Sequence, residues 1–242
     1  MKKITTILAM FSALVMLTVT GAKAIELKAG VSANAMAAVA NAQEVLKDSG
    51  RVTNEESALA TSFASVFAEI SSDEMMGLGF GVSYAPEVVS LNDEARDIQN
   101  CDNALYNLAT KYCVASGGAA SPDTGTQKIA ADIDDLINVY VTLPVGTGAY
   151  IKAGWIMATM NTKESLATGS KYDNIDMEGI SVGGGYEGEL GNSMFWRAEG
   201  TYQHWDDLST NGSEAGGTTG SRNKITAELG GVTGSLSVGL KF

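Results

Sequence analysis

A histidine, two aspartates and a serine lie close together near the C-terminal end of the sequence. His204 is the single histidine, and Asp206, Asp207 and Ser209 follow it. A histidine acts as a general base when a carboxylate orients it and a nucleophile is within reach. Alternation of residue types instead places His204 on an apolar face beside Tyr202, where it fits an interfacial aromatic belt. We therefore expect no enzyme activity, and we rank catalysis at this site third and last among the functions considered for this chain.

Two groups of acidic residues could offer oxygen ligands to Ca²⁺ or Mg²⁺. They are Asp93-Glu94 with Asp97, and Asp132 with Asp134-Asp135. Neither group has the spacing of an EF-hand loop. We expect solvated acids rather than a metal site, and we expect no cofactor.

The chain has two cysteines, Cys101 and Cys113, and both fall in the longest predicted loop. In an oxidising compartment such a pair is expected to form a disulfide. No histidine lies nearby to complete a metal site, so the sequence favours the bridge.

The N-terminus has the three parts of a secretory signal. Lys2 and Lys3 precede an apolar stretch from Ile4 to about Val19, and Ala22-Lys23-Ala24 places small residues before a cleavage site. A permanent anchor is the alternative, but about 20 apolar residues are needed to span a bilayer as a helix. We predict a signal peptide over residues 1–24, cleavage between Ala24 and Ile25, and one domain over residues 25–242.

The mature chain is strongly acidic. Removing residues 1–24 takes away three lysines and no acids, so the formal charge changes from −12 to −15. Such a chain repels phosphate backbones, which argues against nucleic acid as a partner. No uninterrupted apolar run after Val19 approaches 18 residues, so helical membrane spans are excluded, whereas transmembrane strands are not.

Eight segments alternate between apolar and small or polar residues, as half-buried strands do. In the last of them Val232, Leu236, Val238, Leu240 and Phe242 share one face. The segments are Ile25–Ala33, Phe63–Ile70, Met76–Ala85, Leu136–Leu143, Ile151–Ala158, Ile180–Glu189, Met194–Gln203 and Val232–Phe242.

The connections between these segments alternate strictly in length. Long links at residues 34–60, 87–134, 160–175 and 206–223 alternate with short ones at 71–75, 144–148 and 190–193. This order predicts an all-β fold, an eight-stranded antiparallel up-and-down transmembrane barrel with long external loops and periplasmic turns. In the first link, Ala33 to Leu46 is rich in alanine and is either a surface helix or an extension of the first strand.

These features resemble the small outer-membrane β-barrel family of the OmpA/OmpX type, which includes opacity-like surface antigens. The residues that carry the resemblance are Ala22-Lys23-Ala24, the alternating segments and Val238-Gly239-Leu240-Lys241-Phe242. The resemblance implies the outer membrane of a Gram-negative bacterium. It also implies that the barrel assembly machinery recognises the terminal pattern of Leu236, Val238, Leu240 and Phe242.

The predicted strands carry charges on the face that points into the barrel. Arg197 lies three residues above a short turn, opposite Glu187 or Glu189, and buried charges are tolerated only when they are paired. We hypothesise that a charge network plugs the lumen. Its predicted members are Glu69, Lys152, Glu187, Glu189, Arg197 and Glu199. The alternative for Glu26, Glu189 and Lys241 is that they are hydrated residues at the barrel mouth.

The sequence favours a structural or surface-interaction barrel that presents acidic external loops. A narrow, porin-like channel for small solutes is the alternative, but eight strands leave room mainly for side chains. The expected partners are outer-membrane lipid, lipopolysaccharide bound through divalent cations, and the barrel assembly machinery. No particular extracellular ligand or phage follows from the sequence.

The first testable prediction concerns export. Protein isolated from outer membranes should begin at Ile25, because Ala22 and Ala24 supply the small residues that signal peptidase requires. Intact-mass measurement and N-terminal sequencing check this. A mature protein that retains residues 1–24 would instead support the permanent anchor.

Overall fold

The computed structural model describes residues 25–45, 52–72, 76–90, 94–100, 104–107, 112–115, 123–129, 131–163, 172–212 and 224–242. Between residues 94 and 129 it describes the backbone of four short strands only. The predicted signal peptide lies outside these ranges. Within them, no helix is long and apolar enough to cross a membrane.

Eight long antiparallel strands form a closed wall. Each pairs with the next, and the last pairs back with the first, which confirms the predicted eight-stranded antiparallel barrel. In barrel order they are β1 (Ile25–Val45), β2 (Val52–Ser72), β3 (Leu78–Ser90), β8 (Ala131–Pro144), β9 (Ala149–Thr162), β10 (Ile175–Glu189), β11 (Met194–Trp205) and β13 (Lys224–Lys241).

The described parts of the longer connections contain five short strands. Between β3 and β8, the outer two strands pair with each other and so do the inner two. The fifth continues the wall beside β13. They are β4 (Glu94–Asn100), β5 (Ala104–Asn107), β6 (Tyr112–Ala115), β7 (Asp123–Ile129) and β12 (Leu208–Asn211).

Side chains alternate between the outer surface and the lumen as the sequence predicts. On β13, Leu236 is 67% exposed and Val232 55% exposed, whereas Thr233 is buried. On β11, Phe195 is fully buried while Tyr202 faces outward. The predicted sidedness of the strands is therefore confirmed.

Short turns close one end of the barrel, here called the turn end. Gly77 and Gly148 have φ angles of 76° and 78°, which glycine adopts at little cost. Backbone hydrogen bonds close the turn that contains Gly148, from Val145 N to Ala149 O at 2.9 Å, and the turn after β10, from Leu190 N to Met194 O at 2.9 Å. The opposite end carries the longer connections and is called the loop end.

The prediction of a long loop over residues 34–60 is wrong. β1 continues to Val45 and β2 begins at Val52, so most of this segment belongs to a long hairpin. β1 is paired on both sides along this stretch, up to Val45↔Val52 on β2 and Val45↔Lys224 on β13. Two complete ladders outweigh the helix propensity of the alanines, so the strand-extension alternative is the correct one.

The wall has a seam between β2 and β3, where the two strands stop pairing with each other. Their ladder ends at Val66↔Tyr84, and Pro86, which has no amide proton to donate, lies just beyond. Side chains satisfy carbonyl groups on both strands: the Thr61 hydroxyl donates to Val88 O at 3.0 Å, and Asn34 Nδ2 donates to Phe63 O at 3.2 Å. Both strands continue beyond this point without pairing with each other.

Three layers of side chains fill the lumen. The charged layer lies near the turn end and comprises Lys28, Glu69, Lys152, Glu187, Arg197, Glu199 and Lys241. Hydroxyl and amide side chains follow it. The apolar layer lies nearest the loop end and includes Met36, Val88, Ile133, Ile156, Met177 and Trp205.

The sidedness of the wall gives the second prediction. Val238→Arg should lower the free energy of unfolding by about 2–4 kcal/mol, because an arginine on the lipid-facing side must leave water. Val52→Arg is the matched control, since Val52 is equally outward at 51% exposure but lies at the tip of the hairpin. Urea unfolding in phospholipid vesicles measures both. Equal losses would contradict the prediction that the outer face of β13 at Val238 lies in lipid.

Candidate functional site: the charged layer of the lumen

The guanidinium group of Arg197 is the centre of the charged layer. Its terminal nitrogens donate to both carboxylate oxygens of Glu69 at 2.9 and 2.6 Å, and its Nε donates to Glu187 at 2.7 Å. Glu187 lies directly opposite Arg197 on the neighbouring strand β10, whereas Glu69 lies on β2, which does not adjoin β11. The side chains of Arg197 and Glu69 are only 5% and 2% exposed. This buried bidentate pair therefore spans the lumen.

The carboxylate of Glu187 is shared by three cations. Besides Arg197, it lies 2.9 Å from Lys28 Nζ and 3.2 Å from Lys241 Nζ. Lys28 also contacts Glu26 at 3.0 Å. Lys28 and Lys241 are directly opposed in the β1–β13 register, so the shared carboxylate offsets the repulsion between two like charges.

A second ion pair lies beside the first. Lys152 Nζ on β9 is 2.7 Å from Glu199 Oε1 on β11, and the Tyr150 hydroxyl donates to the other oxygen of Glu199 at 2.8 Å. Both charged side chains are about nine-tenths buried. Each buried charge thus has a partner of opposite sign, which is the condition under which a protein interior tolerates charge.

Aromatic rings surround the cations of the layer. The Cζ atom of Arg197 lies 5.1 Å from the ring centroid of Phe195 and 5.4 Å from those of Phe67 and Tyr150. Lys152 Nζ lies 4.0 Å from the ring centroid of Tyr140. Cation–π attraction therefore adds to the ion pairs.

Glycines make room for these four rings. Each ring faces a glycine directly opposite it on a neighbouring strand, and a Cβ atom at that glycine would overlap the ring. The pairs are Gly30↔Phe67, Gly81↔Tyr140, Gly185↔Tyr150 and Gly239↔Phe195. A narrow lumen can hold four large rings because the facing positions carry no side chain.

The structure brings together most of the predicted charge network. Arg197 contacts Glu187, as the short turn between their strands predicts, while Lys152 pairs with Glu199. Glu189 does not join the buried group: its side chain is 77% exposed, and it contacts Lys241 at 3.6 Å.

Sequence reasoning missed three features of this layer. It placed Lys28 and Lys241 on the inward face but did not include them in the network, whereas in the structure they are 12% and 19% exposed and both contact Glu187. It did not include Tyr150, which lies near the start of β9, just after the turn that ends at Gly148. It also did not anticipate the direct pairing of Glu69 with Arg197, for which no local pattern exists.

The terminal residues of β13 lie where the sequence places them. Leu236, Val238, Leu240 and Phe242 all face outward. Phe242 N donates to Leu27 O at 2.8 Å, which fastens the last residue to β1. Recognition of these residues by the assembly machinery stays a prediction.

Two other predictions concern residues that are not fully described. Ala24, on one side of the expected cleavage site, lies outside the described residues, whereas Ile25 opens β1. Cys101 also lies outside them, and Cys113 belongs to β6, of which only the backbone is described. Cleavage and the disulfide therefore stay predictions.

The residues considered for catalysis lie on the outer surface near the loop end. His204, Asp206, Asp207 and Ser209 are all exposed, and His204 shares the outward face of β11 with Tyr202. The lumen-facing neighbours of His204 are instead Gln203 and Trp205, both buried. The structure thus places His204 on the outer surface with Tyr202, as the alternation of residue types predicts.

The second acidic group does not converge on a common point. Asp132 accepts a hydrogen bond from Ser90 and forms an ion pair with Lys163, while Asp134 accepts from Asn161 and Asp135 from Tyr84. Lys163 and the Ser90 hydroxyl hold the pKa of Asp132, near the loop end, below its usual value. Among the described residues no cluster could hold a metal ion. The group containing Asp93, Glu94 and Asp97 has no described side chains.

Comparison with known proteins identifies the fold. No protein-family model and no curated protein matches the sequence. The outer membrane protein OprG from Pseudomonas aeruginosa aligns with 92% of this chain and 98% of its own, at 12% identity and a TM-score of 0.52. The outer membrane protease OmpT from Escherichia coli aligns with 90% and 97%, at 14% identity and a TM-score of 0.46. The likeness to OprG shows that this chain has the fold of an outer-membrane β-barrel.

The charged layer gives the third prediction. Arg197→Ala should lower the free energy of unfolding by roughly 3–5 kcal/mol, because Glu69 would be left buried without its partner. Lys241→Ala is the control and should cost below about 1 kcal/mol, since Lys241 lies at the more accessible mouth. Urea titration of the refolded barrel measures both variants.

A double variant distinguishes the pair from simple loss of packing. Glu69→Ala combined with Arg197→Ala removes both charges, so it should cost less than the sum of the two single changes. Strict additivity would show that the two side chains do not stabilise the barrel through each other.

Proposed function

We propose that this protein is a structural and surface-interaction barrel of the Gram-negative outer membrane, with a closed lumen and no enzymatic activity. The observation that carries the proposal is that two separate layers of side chains fill the lumen. The charged layer occupies one part and the apolar layer another; the apolar side chains are buried, and those of the charged layer are at most 19% exposed. A barrel filled in this way serves as a rigid support rather than as a passage.

A reversal of polarity along the strands supports a membrane location. On β10, outward Val182 and Ile180 give way toward the loop end to outward Glu178, while inward Ser181 gives way to inward Met177. A strand in lipid needs an apolar outer face, whereas a strand in water needs an apolar inner face. The reversal near Ile180 therefore marks the outer boundary of the lipid-facing band.

Aromatic side chains support the same placement. Tyr186 and Trp196 lie together on the outer surface near the turn end, with ring centroids 5.8 Å apart. Trp155 and Tyr202 face outward nearer the loop end. Outer-membrane barrels carry aromatic girdles at both interfaces.

The wall extends well beyond the length needed to cross a bilayer. β1 and β2 each have 21 residues, whereas a transmembrane strand needs about 9–11. Acidic residues, including Glu56, Glu178 and Glu228, are exposed on the extension. We propose that this acidic surface contacts lipopolysaccharide through divalent cations, and that the loops contact partners outside the cell.

Conductance gives the fourth prediction. The purified protein, reconstituted in planar bilayers, should show no steady unitary current, because both layers block the lumen. Arg197→Ala is the comparison variant. Any current that it carries should favour cations, since Glu69 and Glu187 lose their shared positive partner.

The alternative channel function makes the opposite prediction. Steady conductance of the unmodified protein, with neither current nor stability changed by Arg197→Ala, would overturn the closed lumen. The porin-like function would then become the leading one.

A further inference from the structure

A small polar chamber lies between the charged layer and the apolar layer. Its volume is about 60 Å³. Hydroxyl and amide side chains from β1, β8, β11 and β13 line it, including Ser32, Asn34, Asn138, Gln203, Thr233 and Ser235. Lys152, Arg197 and Glu199 form its border toward the turn end.

Most polar groups around the chamber bond to one another. Ser235 donates to Asn34 Oδ1 at 2.7 Å, and Asn34 Nδ2 lies 3.0 Å from Ser65 Oγ. The hydroxyls of Ser32 and Ser237 are 2.8 Å apart. These contacts hold the lining in a defined arrangement.

Two buried polar atoms of the lining have no partner among the described residues. They are Gln203 Oε1 and Thr233 Oγ1, and each side chain belongs to a residue that is 5% exposed. A buried polar group without a hydrogen bond costs about 1–3 kcal/mol, so such groups are nearly always satisfied by protein or by ordered water.

We propose that the chamber is a binding site for a cluster of water molecules. At roughly 15 Å³ of accessible volume for each molecule, it holds about four. The waters donate to Gln203 Oε1, exchange hydrogen bonds with Thr233 Oγ1 and hydrate the inner side of the Lys152–Glu199 pair.

The chemistry of the lining excludes other occupants. An ion would need a charge without a partner, but Glu199 is held by Lys152 and Tyr150, and Arg197 by Glu69 and Glu187. An apolar guest would leave Gln203 and Thr233 unsatisfied. Water both donates and accepts, and it fits the available volume.

A near-isosteric substitution tests the proposal, because hydrated and dry chambers respond with opposite signs. If water bonds to Thr233, Thr233→Val removes a partner from the cluster, and the urea midpoint should fall. If the chamber is dry, valine relieves an unsatisfied hydroxyl, and the midpoint should rise. Gln203→Met should change the midpoint in the same direction as Thr233→Val in either case. A rise in both variants would overturn the proposal.

Thr201→Val is the matched control. Thr201 is buried in the same lining, but its hydroxyl donates to the protein, to Thr233 O at 3.5 Å. Its loss should lower the midpoint whether or not water is present, and this sets the scale for the other two variants.

A direct measurement does not depend on whether the variants fold. A high-resolution crystal structure of the unmodified protein should show solvent within hydrogen-bonding distance of Gln203 Oε1 and Thr233 Oγ1. An empty chamber would overturn the inference. A hydrated chamber in a barrel that conducts would leave the inference standing while rejecting the closed lumen, so the two proposals fail separately.

Discussion

The contact between Arg197 and Glu69 constrains the whole barrel, because it joins strands that the backbone does not join. Each ladder fixes one strand only against its neighbours. A slip of two residues in the ladders that lead from β2 through β1 and β13 to β11 would keep every side chain on its proper face and still separate this pair. Glu69 would then be left buried without its partner, at a cost of roughly 3–5 kcal/mol. The contact across the lumen therefore selects one register of the strands from several that the alternating pattern permits.

How much the sequence predicts depends on how local each feature is. Whether Val238 or Ser237 faces outward is a property of one strand, and the period of two reveals it. The Arg197–Glu187 contact follows from a short turn between adjacent strands. The Arg197–Glu69 contact depends on how the closed wall is staggered, which no segment encodes alone. The sequence from Ala33 to Leu46 is ambiguous for a related reason, since alanine favours helices and only pairing with β2 and β13 makes the part up to Val45 a strand.

The lumen also shows how a small barrel accommodates large side chains. Phe67, Tyr140, Tyr150 and Phe195 each occupy space that a facing glycine leaves empty. These rings pack against Arg197 and Lys152, so the glycines support the electrostatics of the charged layer indirectly. Farther from the turn end the same wall encloses aliphatic side chains, as the core of a water-soluble protein does. One set of strands thus combines two kinds of interior.

The seam between β2 and β3 leaves the loop-end parts of these two strands without a shared ladder, so their lengths can change independently in evolution. On one side the β1–β2 hairpin remains fastened to β13, and on the other β3 remains fastened to β8. Beyond Val66↔Tyr84 no ladder between β2 and β3 transmits a change of length directly across the seam. Insertions or deletions in the hairpin would therefore leave the register of β3 intact. The β1–β2 hairpin and the loop-end part of β3 could diversify separately while the membrane-spanning part stays the same.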